Sequence, residues 1–269
     1  MSTISLFEAL VKTTYQIQIT KSTDKNLSKP IAFGAGFIID YREKTFFVTA
    51  DHNIHIEDYE LNERTGIDNV VSIFNNISNK EEFSTMLTPI GGFHYMEKFN
   101  IDKLEKGYEM IDVTVAMMTK EKHFNYPFLT DDCTLNGEHI IKAGEQKFHF
   151  VEELLVEPNF ESNYSVYGKI KPEIKGLFLH RTDTLKEGIK FVNEVGDYYL
   201  FNTQDPIESE EDWAGLSGSP MLDDNGQCVG VVCSVNPGTN SVFVKPISKV
   251  KILMEIAIKQ EELEQLLKN

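Results

Sequence analysis

The sequence predicts an all-β protein of the barrel or sandwich type that ends in one amphipathic helix. Many short β-rich runs recur between residues 14 and 245, turn signals such as "DDNG" separate them, and helical periodicity is almost absent there. After Ser248 the apolar residues take up helical spacing instead. A chain of 269 residues can form two small barrels or one large α/β unit, so the strand pattern decides between them.

The first elements are a helix and three strands. Ser5 and Glu8 have the spacing of a capping box, which predicts a short helix through "LFEALVK". Tyr15, Ile17 and Ile19 then alternate with polar residues, as in a strand. The runs "AFGAGFIID" and "KTFFVTA", joined by the polar turn "YREK", predict a hairpin.

The middle of the chain is predicted to contain loops and then further strands. The polar stretch from residue 55 to residue 108, with "NNISNK" and "PIGGFHYMEKFN", has the composition of extended loops. Strands are predicted at "NVVSIF", "DVTVAMM", "HIIKAG", "YSVYGKI", "GLFLH", "IKFVN", "YYLFNT", "QCVGVVCSV" and "SVFVKP".

The C-terminal segment is predicted to be an amphipathic helix that packs one face on the body of the protein. Ser248 is the predicted N-cap. The predicted buried face has the spacing i, i+3, i+4 and i+7 and consists of Val250, Leu253, Met254 and Ala257.

Composition excludes several classes of function. The chain has 26 basic and 42 acidic residues, a net charge of −16, and no basic patch with interleaved aromatics, so a nucleic-acid partner is not expected. No leader-like N-terminus or membrane-spanning run is recognised, which predicts a cytoplasmic protein with no membrane partner. Cys133, Cys228 and Cys233 lack C-x-x-C spacing, and they are expected to be reduced, buried thiols.

The stretch "WAGLSGSPML" has the residues of a nucleophilic serine site. A serine hydroxyl becomes reactive on a tight turn, beside a base and near backbone N–H groups that stabilise an oxyanion. Around Ser217, Gly215 can direct its N–H toward that oxyanion, and Gly218 permits close approach of the chain. Taken alone, the stretch is also compatible with an ordinary Gly-Ser loop.

Two other stretches supply a candidate base and its partner. His52 stands where the apolar run of "FFVTADHNIH" ends, a place that fixes the backbone and leaves the imidazole free. Asp112 lies in the alternating strand "MIDVTVAMM", where a carboxylate needs a hydrogen-bond donor such as an imidazole N–H. Taken alone, His52 could instead be a structural or merely exposed histidine, and Asp112 could instead be held by nearby backbone amides. His52 and His55 are spaced as H-x-x-H, but no third ligand is apparent, so no metal site is predicted.

In the order His, Asp, Ser, these stretches resemble the trypsin-like, chymotrypsin-fold serine peptidases, and among them the HtrA-type and glutamyl-endopeptidase-like branches. The matching motifs are "GAGFIID", "VTADH", "DVTV" and "GLSGSP", and "GQCVGVVCSV" with "SVFVKPIS" is similar to the family's last strands. The resemblance spans residues 14 to 258 and is strongest in the serine motif.

The resemblance implies two six-stranded antiparallel β-barrels with the site in the crevice between them. It implies a helix and first barrel over residues 1–122, a second barrel over residues 123–247, and a C-terminal helix over residues 248–269. His52 and Asp112 would come from the first barrel and Ser217 from the second.

The resemblance also implies roles for individual residues. Ser217 would be the nucleophile, His52 the general base and Asp112 its orienting partner, with the N–H groups of Gly215 and Ser217 as the oxyanion hole. No cofactor is implied. The substrate-binding residues would be Cys233, Ser234 and Val235, which the substrate joins as an added strand, and Ser241, which faces the primary specificity pocket.

The chain departs from the family near the serine. Leu216 stands where the digestive enzymes carry an aspartate, so activation through that ion pair is not available. The acidic run from Glu208 to Asp212 approaches the expected base of the specificity pocket. It either selects a basic side chain or is a solvated loop, and the loop is favoured.

The sequence therefore predicts a cytoplasmic serine endopeptidase acting on protein or peptide substrates. One alternative is a binding module or pseudoenzyme of the same fold, which holds a peptide without cutting it. Another is a latent effector that an activating protein partner switches on through the segment before Asp112. The oligomeric state and the preferred cleavage residue are not predicted.

Overall fold

The fold was analysed in a computed structural model that describes residues 4–79, 82–99, 108–135, 137–175 and 178–268. The predicted all-β class is confirmed, because the described residues form two β-structures followed by a C-terminal helix. The second is the predicted six-stranded barrel, whereas the first is a sheet of eight strands instead of six. The helices are α1 (Leu6–Thr13), α2 (Ile56–Leu61), α3 (Lys120–His123) and α4 (Ile247–Lys268). The strands are β1 (Tyr15–Thr20), β2 (Pro30–Tyr41), β3 (Lys44–Thr49), β4 (Val70–Asn79), β5 (Glu82–Ile90), β6 (Phe93–Phe99), β7 (Tyr108–Met118), β8 (Cys133–Leu135), β9 (Glu138–Ile141), β10 (Phe150–Val151), β11 (Tyr164–Lys175), β12 (Phe178–Val195), β13 (Tyr198–Asn202), β14 (Pro220–Asp223), β15 (Cys228–Val235) and β16 (Ser241–Pro246).

The first half of the chain begins with the capped helix α1 and then forms one sheet. Ser5 and Glu8 make both bonds of the predicted capping box. The sheet has the strand order β5-β4-β1-β2-β3-β7-β6, and β10 pairs in parallel with β2. The predicted hairpin is formed by β2 and β3, in which Phe37 lies opposite Val48. Strands β3 and β7 therefore lie side by side inside the sheet; Asp112 is on β7, and His52 follows the end of β3.

The second half forms a closed barrel of six strands in the order β11-β12-β13-β16-β15-β14. Its interior is filled by large apolar side chains that include Tyr164, Phe201, Met221 and Val229. The segment that carries Ser217 connects β13 to β14 across one end of this barrel.

Two sequence predictions are wrong. The stretch from residue 55 to residue 108 was predicted to be extended loops apart from the strand "NVVSIF", which is found as β4, but its described part also contains α2, β5 and β6. The runs "GLFLH" and "IKFVN" were predicted to be separate strands, but from residue 178 onward they belong to the single strand β12, residues 176 and 177 lying outside the described residues. Gly188 lies where the pairing of β12 with β11 shifts register, and its φ of +68° lets the strand continue through this irregularity.

Helix α4 joins the two halves. It begins at Ile247, so Ser248 lies inside the helix and is not its N-cap. The predicted buried face is confirmed, since Val250, Leu253, Met254 and Ala257 belong to a cluster with residues of both β-structures. Among the described residues, no helix combines the length and hydropathy needed to cross a bilayer. The three cysteines are free and buried, as predicted.

Candidate active site

His52 follows strand β3 and lies in the groove between the two β-structures. Strand β3 is buried from Phe46 to Thr49, and the chain then turns through a 3-10 helix at Asp51–Asn53. Asn53 anchors this turn because its Nδ2 donates to Thr49 Oγ1 at 2.9 Å and to the Ser217 carbonyl at 3.2 Å. The imidazole of His52 keeps 28% of its surface exposed, so it can face a substrate.

Asp112 lies directly behind His52 on β7, with 7% of its side chain exposed. Its two carboxylate oxygens are 3.0 and 2.9 Å from His52 Nδ1, and Oδ1 also accepts the backbone N–H of His52 at 3.0 Å. Because a carboxylate only accepts, the proton on the imidazole is held on Nδ1 and Nε2 is free to act as an acceptor.

The turn that carries Ser217 places the serine hydroxyl next to His52, on the side opposite Asp112. Ser217 Oγ is 2.8 Å from His52 Nε2 and 2.9 Å from the carbonyl oxygen of Cys233. The backbone of the turn is fixed from both sides, since Ala35 N–H donates to the Ser217 carbonyl and Gly218 N–H donates to the Val232 carbonyl, each at 2.8 Å. The structure thus brings together the three predicted catalytic residues, which are 60 and 165 positions apart in the chain when measured from His52.

The glycines of the turn are required by its shape. Gly218 has a φ of +87°, and a Cβ there would lie 2.0 Å from the Ala35 carbonyl oxygen. Gly215 has a φ of +106°, and a Cβ there would lie 2.4 Å from the Lys169 carbonyl oxygen. A side chain at either position would combine backbone strain with a direct clash.

The predicted oxyanion donors are uncommitted. Within the described residues, neither the N–H of Gly215 nor that of Ser217 donates a backbone hydrogen bond, although the neighbouring N–H groups of Leu216, Gly218 and Ser219 do. Two free N–H groups beside a nucleophile can stabilise an oxyanion that develops on a bound carbonyl.

The charges of the His52 and Asp112 pair shift both pKa values. Burial raises the pKa of the Asp112 carboxyl, but the charge of His52 and its hydrogen bonds outweigh burial and hold that pKa below its ordinary value. Burial lowers the pKa of His52, whereas Asp112 and, less strongly, Asp51 raise it, and the net result is a pKa above the ordinary value.

A cavity of about 810 Å³ opens in front of these groups. It is lined by Ala32, Phe33, His52, Asn53, Ile56, Tyr59, Glu60, Asp112, Tyr198, Glu210, Trp213, Ala214, Gly215, Ser217, Val232, Cys233, Ser234 and Val235. Cys233, Ser234 and Val235, which the resemblance implies to be substrate-binding residues, are among the residues that line this cavity. Ser241 is not among the lining residues; it lies at the start of β16, opposite Asn202.

The acidic run before the serine is divided between solvent and cavity. Asp212 pairs with Lys171 at 2.7 Å on the surface, whereas Glu210 is among the residues that line the cavity. One residue of the run, Glu210, therefore adjoins the cavity.

An ion network that sequence reasoning missed fixes the segment after His52. The buried carboxylate of Asp51 contacts His55 Nδ1 and Arg64 Nη1, both at 2.9 Å, and accepts from the Tyr59 hydroxyl at 3.2 Å. Arg64 also binds Asp58 at 3.1 Å. The Tyr59 ring is thereby held edge-on to His52, with centroids 5.8 Å apart, and lines the cavity.

His52 and His55 are directed to different partners. His52 faces Asp112 and Ser217, whereas the two ring nitrogens of His55 contact Asp51 and Asp68 at 2.9 and 3.1 Å. The H-x-x-H spacing therefore reflects two separate carboxylate contacts. Trp213, Tyr59 and Tyr198 are cavity residues for which only Trp213 had a sequence signal, its position beside the serine motif.

No protein-family model matches the chain, and no curated protein matches it. Among solved structures, the serine endoprotease from Yersinia pestis is similar at 14% identity and a TM-score of 0.46, over 96% of this chain and 68% of that one. The active form of the Rv3671c protease from M. tuberculosis is similar at 14% identity and a TM-score of 0.45, over 94% of this chain and 83% of that one. These identities and TM-scores are too low to assign roles to residues of the site. The interpretation of the site therefore depends on the contacts within this chain.

Proposed function

We propose that this chain is a serine endopeptidase that hydrolyses peptide bonds of protein substrates through an acyl-enzyme. The observation that carries the proposal is the continuous contact from the Ser217 hydroxyl through both nitrogens of His52 to the buried carboxylate of Asp112. A serine, an imidazole and a carboxylate in this order can transfer one proton while the serine oxygen attacks a carbonyl.

The proposed reaction follows from the positions of these atoms. Ser217 Oγ attacks the scissile carbonyl carbon while its proton moves to His52 Nε2, and the carbonyl oxygen becomes an oxyanion that the N–H groups of Gly215 and Ser217 stabilise. Asp112 stabilises the imidazolium. The C–N bond then breaks as His52 returns the proton to the leaving amine, and a water molecule, deprotonated by His52, hydrolyses the ester and restores Ser217.

The substrate is proposed to bind as an added strand along Cys233, Ser234 and Val235. The register of β15 supports this, because β14 pairs with β15 only as far as Val231, and Ser234 and Val235 pair with β16 on the other side. An edge that is free beside the cavity can accept the backbone of an extended peptide.

Reaction with a fluorophosphonate probe tests the proposal, because the probe labels only an activated serine. We expect the wild-type protein to be labelled and to cleave an unfolded protein substrate, and Ser217→Ala to lose both properties while keeping its melting temperature. Ser22→Ala is a matched control on an exposed loop and should behave as wild type. Labelling of S217A at the wild-type rate would refute the assignment.

Two other outcomes correspond to the alternatives from the sequence. Peptide binding without labelling would identify a binding module, and labelling that appears only after a partner protein is added would identify a latent effector. The cytoplasmic location and the absence of nucleic-acid and membrane partners stay predictions from composition.

A further inference from the structure

A lysine is buried in the strand next to the candidate site. Lys245 on β16 is 1% exposed, and it makes no ion pair with a carboxylate among the residues that the structure describes. An isolated ammonium group is costly to bury, so a buried lysine requires compensation from its surroundings. The nearest compensation is the ring of Tyr198, whose centroid lies 3.4 Å from Lys245 Nζ.

This cation–π pair adjoins the catalytic cavity. Tyr198 lines the cavity together with Asp112 and Cys233. The thiol of Cys233 donates to the backbone carbonyl of Asp112 at 3.1 Å, so β15 and β7 are in contact at this point. Strand β16 pairs with β15, with Lys245 opposite Val231, so Lys245 lies on the strand next to Cys233. The charges of Lys245 and Asp112 affect each other's pKa.

The acidic groups that Lys245 faces are not equivalent. Burial lowers the pKa of Lys245, while Cys233, Asp112 and Asp197 act in the opposite direction. The negative charge of Asp197 is already balanced by ion pairs, because its carboxylate contacts Lys98 at 3.4 Å and Lys249 at 3.5 Å. Cys233 is a buried thiol whose pKa is raised well above its ordinary value, so it is uncharged. Of Cys233, Asp112 and Asp197, Asp112 is therefore the buried carboxylate that, within the described part of the chain, has no ion-pair partner besides His52.

We propose that Lys245 is a positioning residue, whose buried charge, held over the Tyr198 ring, compensates Asp112 whenever His52 is neutral. The inference rests on the proposed function, in which the resting base must be a neutral imidazole beside an ionised carboxylate. In the neutral state His52 offers Asp112 only a hydrogen bond, and Lys245 supplies the opposite charge. The same charge opposes formation of the His52 imidazolium, which keeps the base unprotonated to lower pH.

The charge on His52 depends on groups from every element around it. The groups around His52 are Asp112 on β7, Asp51 in the turn before His52, Tyr59 on α2, Ser217 in its turn, Cys233 on β15 and Tyr198 on β13, and Lys245 acts on Asp112. Asp112 and Asp51 favour the imidazolium, and Lys245 is the cation of the set. Removal of Lys245 should therefore raise the pKa of His52.

NMR titration of the His52 ring protons tests the proposal without requiring activity. In Lys245→Met, which keeps most of the buried volume, we expect the pKa of His52 to rise by about 0.5 to 1 unit, as for a unit charge at several ångströms in a protein interior. The acid limb of kcat/KM should move to higher pH by the same amount. Lys245→Arg keeps the charge, and both values should stay near wild type.

Lys249→Met is the matched control, because Lys249 is a nearby but more exposed cation that is paired with Asp197. It should leave the pKa of His52 within about 0.2 units of wild type, since solvent screens an exposed charge. An unchanged His52 pKa in K245M that melts as wild type does would overturn the proposal. An equal rise in K249M would do so too, because it would reveal a general effect of net charge.

A measurement on the unaltered protein covers the case in which the variants do not fold. NMR titration of the Lys245 side chain should find the ammonium charged at neutral pH, and a neutral amine there would overturn the proposal. If the fluorophosphonate probe does not label Ser217, the proposed function fails, whereas the His52 and Lys245 titrations still decide whether the buried charge acts on the imidazole.

Discussion

At the scale of single residues, the carboxylate of Asp112 has a testable role. Asp112→Asn keeps the shape of the side chain but replaces an oxygen that accepts from His52 Nδ1 with an NH₂ donor. The imidazole proton would then move to Nε2, where it blocks transfer from Ser217. We expect kcat/KM to fall by about 10³–10⁴ with little change in melting temperature, as measured by peptide hydrolysis and thermal unfolding.

Asp24→Asn is the control for this substitution. Asp24 also accepts backbone N–H groups, from Asn26 at 3.2 Å and Lys29 at 2.7 Å, but it lies on the exposed loop between β1 and β2. Its kcat/KM should equal that of wild type. Retention of full activity by D112N would contradict a role for Asp112 in fixing the tautomer of His52.

The residues that sequence reasoning found and missed differ in how their roles arise. His52, Asp112 and Ser217 each stand in a short motif whose local pattern is unusual, such as an aspartate in an apolar strand. Lys245 stands in "SVFVKP", which is typical of any strand with a polar residue, and its burial depends on the closed barrel. Tyr59 and Tyr198 gain their positions only from contacts with distant or loop residues, so no local pattern could reveal them.

At the scale of elements, the serine turn depends on Gly218. In Gly218→Ala the added Cβ would meet the Ala35 carbonyl oxygen at 2.0 Å and Thr49 Oγ1 at 2.3 Å, besides adopting a positive φ. The turn must therefore move away from β2 and β3, and Ser217 Oγ would lose its contact with His52. We expect fluorophosphonate labelling to fall at least tenfold and backbone strain alone to cost about 1–3 kcal/mol of unfolding free energy.

Gly226→Ala is the control that separates the effect of backbone strain from the effect of moving Ser217. Gly226 also has a positive φ, +74°, but a Cβ there would find only the Ala9 Cβ, at an ordinary distance of 3.9 Å. This variant should be destabilised to a similar degree by strain and yet be labelled at the wild-type rate. Equal labelling of both variants would mean that Gly218 does not position Ser217.

Two of the strands that the sequence did not predict lie at the edges of the first sheet. β5 and β6 are the two end strands of the first sheet, and an end strand has one neighbour and more solvent around it. β6 accordingly exposes Tyr95 and Phe99 and carries Glu97 and Lys98 between them, so it lacks the apolar alternation of a buried strand. Central strands such as β3 and β7 bury both faces and were predicted from their apolar alternation.

At the scale of the whole molecule, α4 determines whether the two β-structures unfold together. Leu253 on α4 is fully buried in a cluster that includes Phe37 and Val113 from the first sheet and Leu222 and Val231 from the barrel. Leu253→Ala would leave a cavity where these surfaces meet, with an expected loss of about 2–5 kcal/mol in unfolding free energy. Because both halves lose contacts, chemical denaturation should still give one transition, detected at the same denaturant concentration by far-ultraviolet circular dichroism and by the fluorescence of Trp213 in the barrel.

Leu263→Ala on the same helix is the control: Leu263 is 62% exposed, so its truncation should change stability by less than about 0.5 kcal/mol. Two separate transitions in L253A would mean that the halves are stabilised independently, and the groove that holds His52 and Ser217 would then depend on the serine turn rather than on α4.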